Sequence, residues 1–155
     1  MKKFTAAILA LIFIFSFIGC AKTEEPRNYD ADIIADALNS KLSFGEALEK
    51  STADIAYTVY GISPDLCTKA ALYIGSGATA DEIAVFNCID KASADSVYEA
   101  VQDRIHYLHD GYMSYGPEEV DKIDSAAVIS AENTVILCIC NNPDNAESIV
   151  DSASK

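Results

Sequence analysis

The chain has 155 residues, half of them hydrophobic, and carries 24 acidic against 11 basic side chains for a net charge of −13. A length of this order builds one core rather than two. The acidic balance argues against nucleic acid as a partner, because phosphate contacts need clustered Lys and Arg, and equally against electrostatic adhesion to anionic lipid.

At the N-terminus Lys2-Lys3 precede an apolar run from Phe4 to Ile18, closed by Gly19-Cys20. A basic start, a short hydrophobic stretch and a small residue before the cleavage point make a secretory signal peptide. The Cys directly after Gly19 makes it the lipoprotein kind, in which the Cys20 sulfur is acylated and Cys20 becomes the new N-terminus. Phe17 stands where the usual motif has Leu, while Ile18 and Gly19 fit it. The run of 15 residues is shorter than the roughly 20 needed to span a bilayer as a helix. The segment from Ala21 to Pro26 reads as a polar tether rather than a basic stop-transfer cluster. Residues 1–19 are therefore expected to be the signal peptide, 20–29 a lipid-anchored polar linker, and 30–155 a single domain. That domain would sit on the extracytoplasmic face of the cell membrane. Losing residues 1–19 leaves 9 basic against 24 acidic side chains, net −15, so attachment would rest on the lipid alone.

Beyond the linker, Asp30 or Asp32 can cap a helix whose apolar stripe is Ile33, Ile34, Ala37, Leu38 and Leu42. The stretch from Phe44 to Lys50 shows no clear period. Residues 52–60 suit a short helix stopped by Gly61. Two β-forming runs, Leu66 to Ile74 and Glu82 to Ile89, flank Gly75-Ser76-Gly77-Ala78 and predict a hairpin. The second run is apolar on both faces, as a central strand would be. A long helix over 93–109 follows, with Ser93 as cap and Val97, Val101, Ile105, Leu108 and Tyr112 as its stripe, ending by Gly111 or Gly116-Pro117. Pro117 opens a helical turn through Ile123. Residues 126–130 and 134–140 make a second hairpin around Glu132-Asn133. Asn142-Pro143 then caps a last helix with Ala146, Ile149 and Val150. After the N-terminal helices the order is β-β-α-β-β-α. This predicts an α+β fold: a two-layer sandwich with a mostly antiparallel four-stranded sheet and helices packed on one face.

Several segments together resemble the domain of unknown function 4358 family of bacterial lipoproteins. They are Tyr60-Gly61-Ile62, Ser76-Gly77-Ala78, the run from Ala80 to Phe86, Asp103-Arg104-Ile105, and Tyr115 to Val120 with Lys122-Ile123. The resemblance covers roughly residues 30–150. Family members often carry Lys after the Phe of the third segment, where this chain has Asn87. The resemblance implies secretion and lipidation and brings with it no catalytic residue.

Four cysteines remain beside Cys20: Cys67, Cys88, Cys138 and Cys140. Outside the cytoplasm an even number invites disulfides, and a hairpin turning at Gly77-Ala78 would put Cys67 opposite Cys88. Cys138 and Cys140, two apart on one strand, share a face and are poorly placed to join each other. The competing reading makes all four small buried hydrophobes. Asp103, His106 and Asp110, at helical spacings of three and four, form a weak candidate for a divalent ion, though surface helices carry many such groups. Neither His106 nor His109 has an evident Ser or Cys nucleophile as partner. Gly75-x-Gly77 lacks the Lys and the strand-to-helix context of a phosphate loop and reads as a turn. Asp30-x-Asp32 lacks the rest of a calcium loop, and Glu118-Glu119 suits a helix first turn. Tyr57, Tyr60, Tyr98, Tyr107, Tyr112 and Tyr115 fit either core edges or a recognition surface.

No cofactor is expected. The leading expectation is a non-enzymatic binding or accessory lipoprotein with a protein or a cell-surface glycan as partner; the alternative is an extracytoplasmic enzyme whose site is not readable as a linear motif. Replacing Cys20→Ala should abolish fatty-acid labelling and release or mislocalise the protein. Undiminished palmitate incorporation in that variant would overturn the lipoprotein reading.

Overall fold

The computed structural model describes residues 27–155. The expected signal peptide 1–19, the expected lipidation site Cys20 and the first part of the expected linker lie outside the described residues. No helix among the described residues is long and apolar enough to cross a membrane.

Helix α1 (Ala31–Lys41) starts at Asp30, whose carboxylate accepts the backbone N–H groups of Asp32 and Ile33 at 3.0 and 3.1 Å. Its buried stripe is Ala31, Ile34, Ala35 and Leu38. Ile33, expected in that stripe, is exposed instead: it lies one step of about 100° round the helix from Ile34. The ambiguous stretch that follows ends in a short strand β1 (Glu49–Ser51), then α2 (Ala53–Tyr60), capped by the Thr52 hydroxyl. Gly61 closes α2 with φ of 63°, a left-handed conformation that costs glycine nothing. A 3₁₀ turn (Pro64–Leu66) leads into β2 (Cys67–Ile74), and β3 (Glu82–Cys88) completes the first hairpin.

Helix α3 runs from Lys91 to Tyr115, longer at both ends than the expected 93–109. Its cap is Asp90, not Ser93: the Asp90 carboxylate accepts the Ser93 N–H at 2.8 Å. Gly111 stays inside the helix, which ends at Gly116. A 3₁₀ turn (Pro117–Glu119) and α4 (Val120–Asp124) follow, then the hairpin β4 (Ala127–Ala131) and β5 (Thr134–Ile139) around Glu132-Asn133. The last helix α5 (Ala146–Ala153) is entered through a 3₁₀ turn at Pro143–Asn145. Asn142 does not cap that turn; its side-chain oxygen accepts the Ser43 N–H at 2.9 Å instead.

The sheet has five strands in the order β1-β2-β3-β5-β4, every neighbouring pair antiparallel. The expectation of four strands missed β1, which pairs its three residues Glu49, Lys50 and Ser51 with Ile74, Tyr73 and Leu72. A strand this short carries too few residues for a readable alternation. The helices do not share one face. α2, α3 and α4 pack on the side presenting Ala70, Leu72, Ala84, Phe86, Val135 and Leu137. α1 and α5 cover the opposite side, against Ala71, Ile83, Val85, Ile136 and Cys138. The architecture is thus three layers, helices on both sides of an antiparallel sheet. The reason lies in β3, where Ile83, Ala84, Val85 and Phe86 are all 0 % exposed. A central strand apolar on both faces requires cover on both.

Phe86 packs edge-on against Tyr60 with ring centroids 5.0 Å apart. Phe86→Ala should destabilise the domain by about 3–5 kcal/mol, read as a lower urea midpoint at unchanged slope. A loss below about 1 kcal/mol would contradict this packing.

Candidate functional site

Two consecutive carboxylates at the start of β3 are buried: Asp81 and Glu82 are each 1 % exposed. A buried carboxylate is tolerated only when paired and hydrogen-bonded, and each has its own cation. Glu82 receives Arg104 of α3 in a two-pronged contact, Nη2 to Oε2 at 2.6 Å and Nε to Oε1 at 3.2 Å. The Tyr60 hydroxyl, at the end of α2, donates to Glu82 Oε1 at 2.5 Å. Burial, and then the Glu82 charge, push the Tyr60 phenol well above its ordinary pKa, so it remains a donor. The guanidinium of Arg104 is flanked by the rings of Tyr60 and Tyr107, 5.9 and 5.6 Å from their centroids, an arrangement attractive through the ring quadrupoles.

Asp81 turns to a different set of groups. Its Oδ1 accepts from Lys122 of α4 at 3.0 Å, and its Oδ2 accepts the Gly45 N–H at 2.6 Å and lies 2.8 Å from the Thr79 hydroxyl. Lys122 also donates to Glu119 at 2.7 Å, and Glu119 accepts the Ala80 N–H at 2.9 Å. Burial disfavours the Lys122 charge, but Glu119 and Asp81 outweigh it and hold its pKa above the usual value. Glu119 is therefore more than a first-turn acid matching a helix dipole. The Tyr112 hydroxyl sits between the carbonyls of Gly77, at 3.1 Å, and Thr79. Within the same loop Gly77 has φ of 90°, a turn conformation open to glycine. The loop 75–81 is thereby fastened to α3, to α4 and to the segment at Gly45.

The fastened loop and α3 enclose a cleft of about 260 Å³, with Glu82 and Arg104 at its base and Ser76, Tyr107, Tyr112 and Tyr115 among its walls. A second hollow of about 480 Å³, between the end of α2 and α3, shares Arg104 and Tyr107 and adds Thr58 and Asp103. The first lies just under the range of about 300–1,000 Å³ usual for small-molecule sites and suits a single ring or side chain. Tyr107 and Tyr115, at 71 % and 66 % exposed, stand at its rim.

The segments named for the family resemblance meet here. Tyr60, Glu82 and Arg104 form one network, and Ala80, Asp81, Glu119 and Lys122 the other. The metal candidate fares otherwise. Asp103, His106 and Asp110 are all exposed, His109 rather than His106 lies beside Asp110, at 3.4 Å, and no three such side chains converge as metal ligands among the described residues. Spacings of three and four put side chains on one helix face without aiming them at a common point. Gly75-x-Gly77 lies in the connection between β2 and β3. Cys67 and Cys88 are opposite each other in the β2–β3 register, and the four cysteines described are free thiols.

Sequence reading missed Glu82 and Arg104 as partners. A signal existed: Arg104 falls at spacings of three and four between Val101 and Leu108, a lone cation in the buried stripe of α3, where a charge needs a partner.

The chain matches the family described as Domain of unknown function (DUF4358) over residues 40–140, and it belongs to that family. Comparison with curated proteins and with solved structures finds no match.

Arg104→Met, which strands the Glu82 charge, should cost about 3–5 kcal/mol in urea unfolding. Glu82→Gln combined with Arg104→Met should recover much of that loss, because the Gln oxygen still accepts from Tyr60 and no charge remains buried. Simple additivity of the two changes would show that the pair is not energetically coupled.

Proposed function

We propose that the protein is a lipid-anchored, extracytoplasmic binding module with an accessory, non-enzymatic role, which holds a protein segment or a surface glycan in the cleft beside α3. The observation that carries this reading is the division of labour in the cleft. Its buried charged groups are already paired, Glu82 with Arg104 at 2.6 Å and Asp81 with Lys122 behind the cleft wall at 3.0 Å. The accessible walls are the tyrosine faces of Tyr107 and Tyr115. Tyrosines of this kind supply large, rigid, amphipathic contact area that stacks on sugar rings or apolar side chains. A catalytic reading would need an acid and a base free to exchange protons with a substrate; the carboxylates at the base of this cleft serve instead to fix its shape. A lipid on Cys20, followed by a polar linker, would hold such a cleft close to the membrane, where the net charge of −15 left after loss of residues 1–19 offers no attraction to anionic lipid.

The test is retention of the purified full chain, in detergent, on isolated cell walls and, in a separate arm, on membrane-protein extracts fixed to beads. Tyr107→Ala with Tyr115→Ala should weaken retention at least about tenfold, the loss of one to two hot-spot contacts, in a variant that circular dichroism and a cooperative melt show to be folded. Retention indifferent to both tyrosines would overturn the binding-cleft reading. A turnover lost on alanine replacement of Asp103, His106, His109 and Asp110, with folding intact, would replace it by the enzyme alternative.

A further inference from the structure

We propose that Cys67 and Cys88 are a thiol pair that closes to a disulfide by exchange with a small-molecule disulfide, with Cys67 as the entry thiol. The two residues are direct partners across β2 and β3. The Ile89 N–H donates to the Leu66 carbonyl at 3.0 Å, one residue outside the pair on each strand. A bulge between Cys67 and Lys69 interrupts the ladder beside the pair, while that bond makes Cys67 and Cys88 a non-hydrogen-bonded pair, the kind whose Cα atoms in a regular ladder approach to about 4.5 Å. This lies inside the Cα window of about 4.4–6.8 Å that a disulfide requires. Both side chains lie on the face of the sheet that α2 and α3 cover, with Cys88 buried in that core and Cys67 packed against its edge. The Cys88 thiol now donates to the Phe86 carbonyl at 3.9 Å, and closing the pair would turn it from that carbonyl toward Cys67.

The two sulfurs differ in access. Cys67 is partly exposed at the mouth of the hairpin, while Cys88 is 6 % exposed and faces the α2–α3 core. The neighbouring Cys88 thiol lowers the Cys67 pKa, and the proximity of Cys67 together with burial raises that of Cys88. The thiolate is the attacking species, so Cys67 is both the reachable and the reactive end. Cys138 and Cys140, at 0 % and 1 % exposed, are screened from solvent by α1 and α5.

The chemistry balances without a further redox partner. The Cys67 thiolate attacks one sulfur of glutathione disulfide; the glutathione S–S bond breaks, one glutathione leaves as thiolate, and a mixed disulfide forms on Cys67. Cys88 gives up its proton to solvent, attacks the Cys67 sulfur and expels the second glutathione. Two protein thiols are oxidised and one small disulfide is reduced to two thiols. The resulting bond would tie the entry of β2 to the exit of β3 across a closed loop of 22 residues, immediately before the Asp90 cap of α3. This inference is independent of the cleft and of the lipid anchor.

The full chain purified in detergent under reducing conditions is exposed to oxidised glutathione and mapped by peptide mass. A Cys67–Cys88 cross-linked peptide is expected, and oxidation should raise the melting temperature by roughly 10 °C. Cys88→Ser, and Cys88→Ala as a better-packing control, should leave a stable glutathione adduct on Cys67, formed at least about tenfold faster than any adduct on Cys138. Cys67→Ser should yield neither cross-link nor adduct at Cys88. Circular dichroism establishes that each variant is folded. Absence of the cross-link from the folded wild-type chain, or an adduct entering at Cys88 in preference to Cys67, would overturn the proposal.

Discussion

A carboxylate at the head of a central strand is an expensive group to bury, and the way this protein neutralises Glu82 organises the half of the molecule that carries the cleft. The strand behind it is apolar on both faces, so Glu82 has no route to solvent once β3 is covered. The guanidinium of Arg104 meets it in a planar, two-pronged fit that Lys could not reproduce. Because Arg104 belongs to α3 and Tyr60 to α2, satisfying one carboxylate sets the position of two helices against the sheet. Replacing such a pair by apolar residues is often neutral or stabilising elsewhere. Its contribution here is therefore best understood as geometric, fixing where α3 lies and hence where the cleft opens.

The neighbouring Asp81 repeats the logic with different partners. Its cation is Lys122 from α4, and its second oxygen anchors the backbone at Gly45. Between them, two consecutive side chains draw four distant segments to one end of the sheet. The loop 75–81 gains a defined shape by this means, although its own residues have little apolar surface to bury. A rigid rim with exposed tyrosines is suited to contact without rearrangement, since little conformational entropy is lost on binding.

The cysteine pair sits at the other end of the same hairpin, beside the start of α3. A covalent link there would act on the frame of the domain rather than on the cleft itself. Its value in the chain-entropy picture lies in restricting the unfolded state, which suits a small domain whose burial per residue is modest.

The sequence by itself determined the elements whose signals are local. The period of α3 was readable from Val97, Val101, Leu108 and Tyr112, the stop of α2 from Gly61, and both hairpins from their turn residues, because capping, turn chemistry and amphipathic spacing act over a few residues. Cys67 does face Cys88, but not through the register that a turn at Gly77-Ala78 implies: from Lys69 to Ile74 the strands pair one residue out of that register, and a bulge between Cys67 and Lys69 brings the two cysteines opposite each other. The family was readable too, from short segments that proved to meet in space. Only the tertiary structure decided the rest. Strand β1 is three residues long and exists because β2 offers an edge to pair with. The placing of α1 and α5 on one face, and α2, α3 and α4 on the other, depends on which way the chain crosses the sheet, and helical periodicity carries no information about that. The partnership of Glu82 with Arg104 spans 22 positions of sequence, and that of Asp81 with Lys122 spans 41. Charges separated so far along the chain choose partners by where folding brings them, since the Coulomb energy depends on distance and burial rather than on spacing in the sequence.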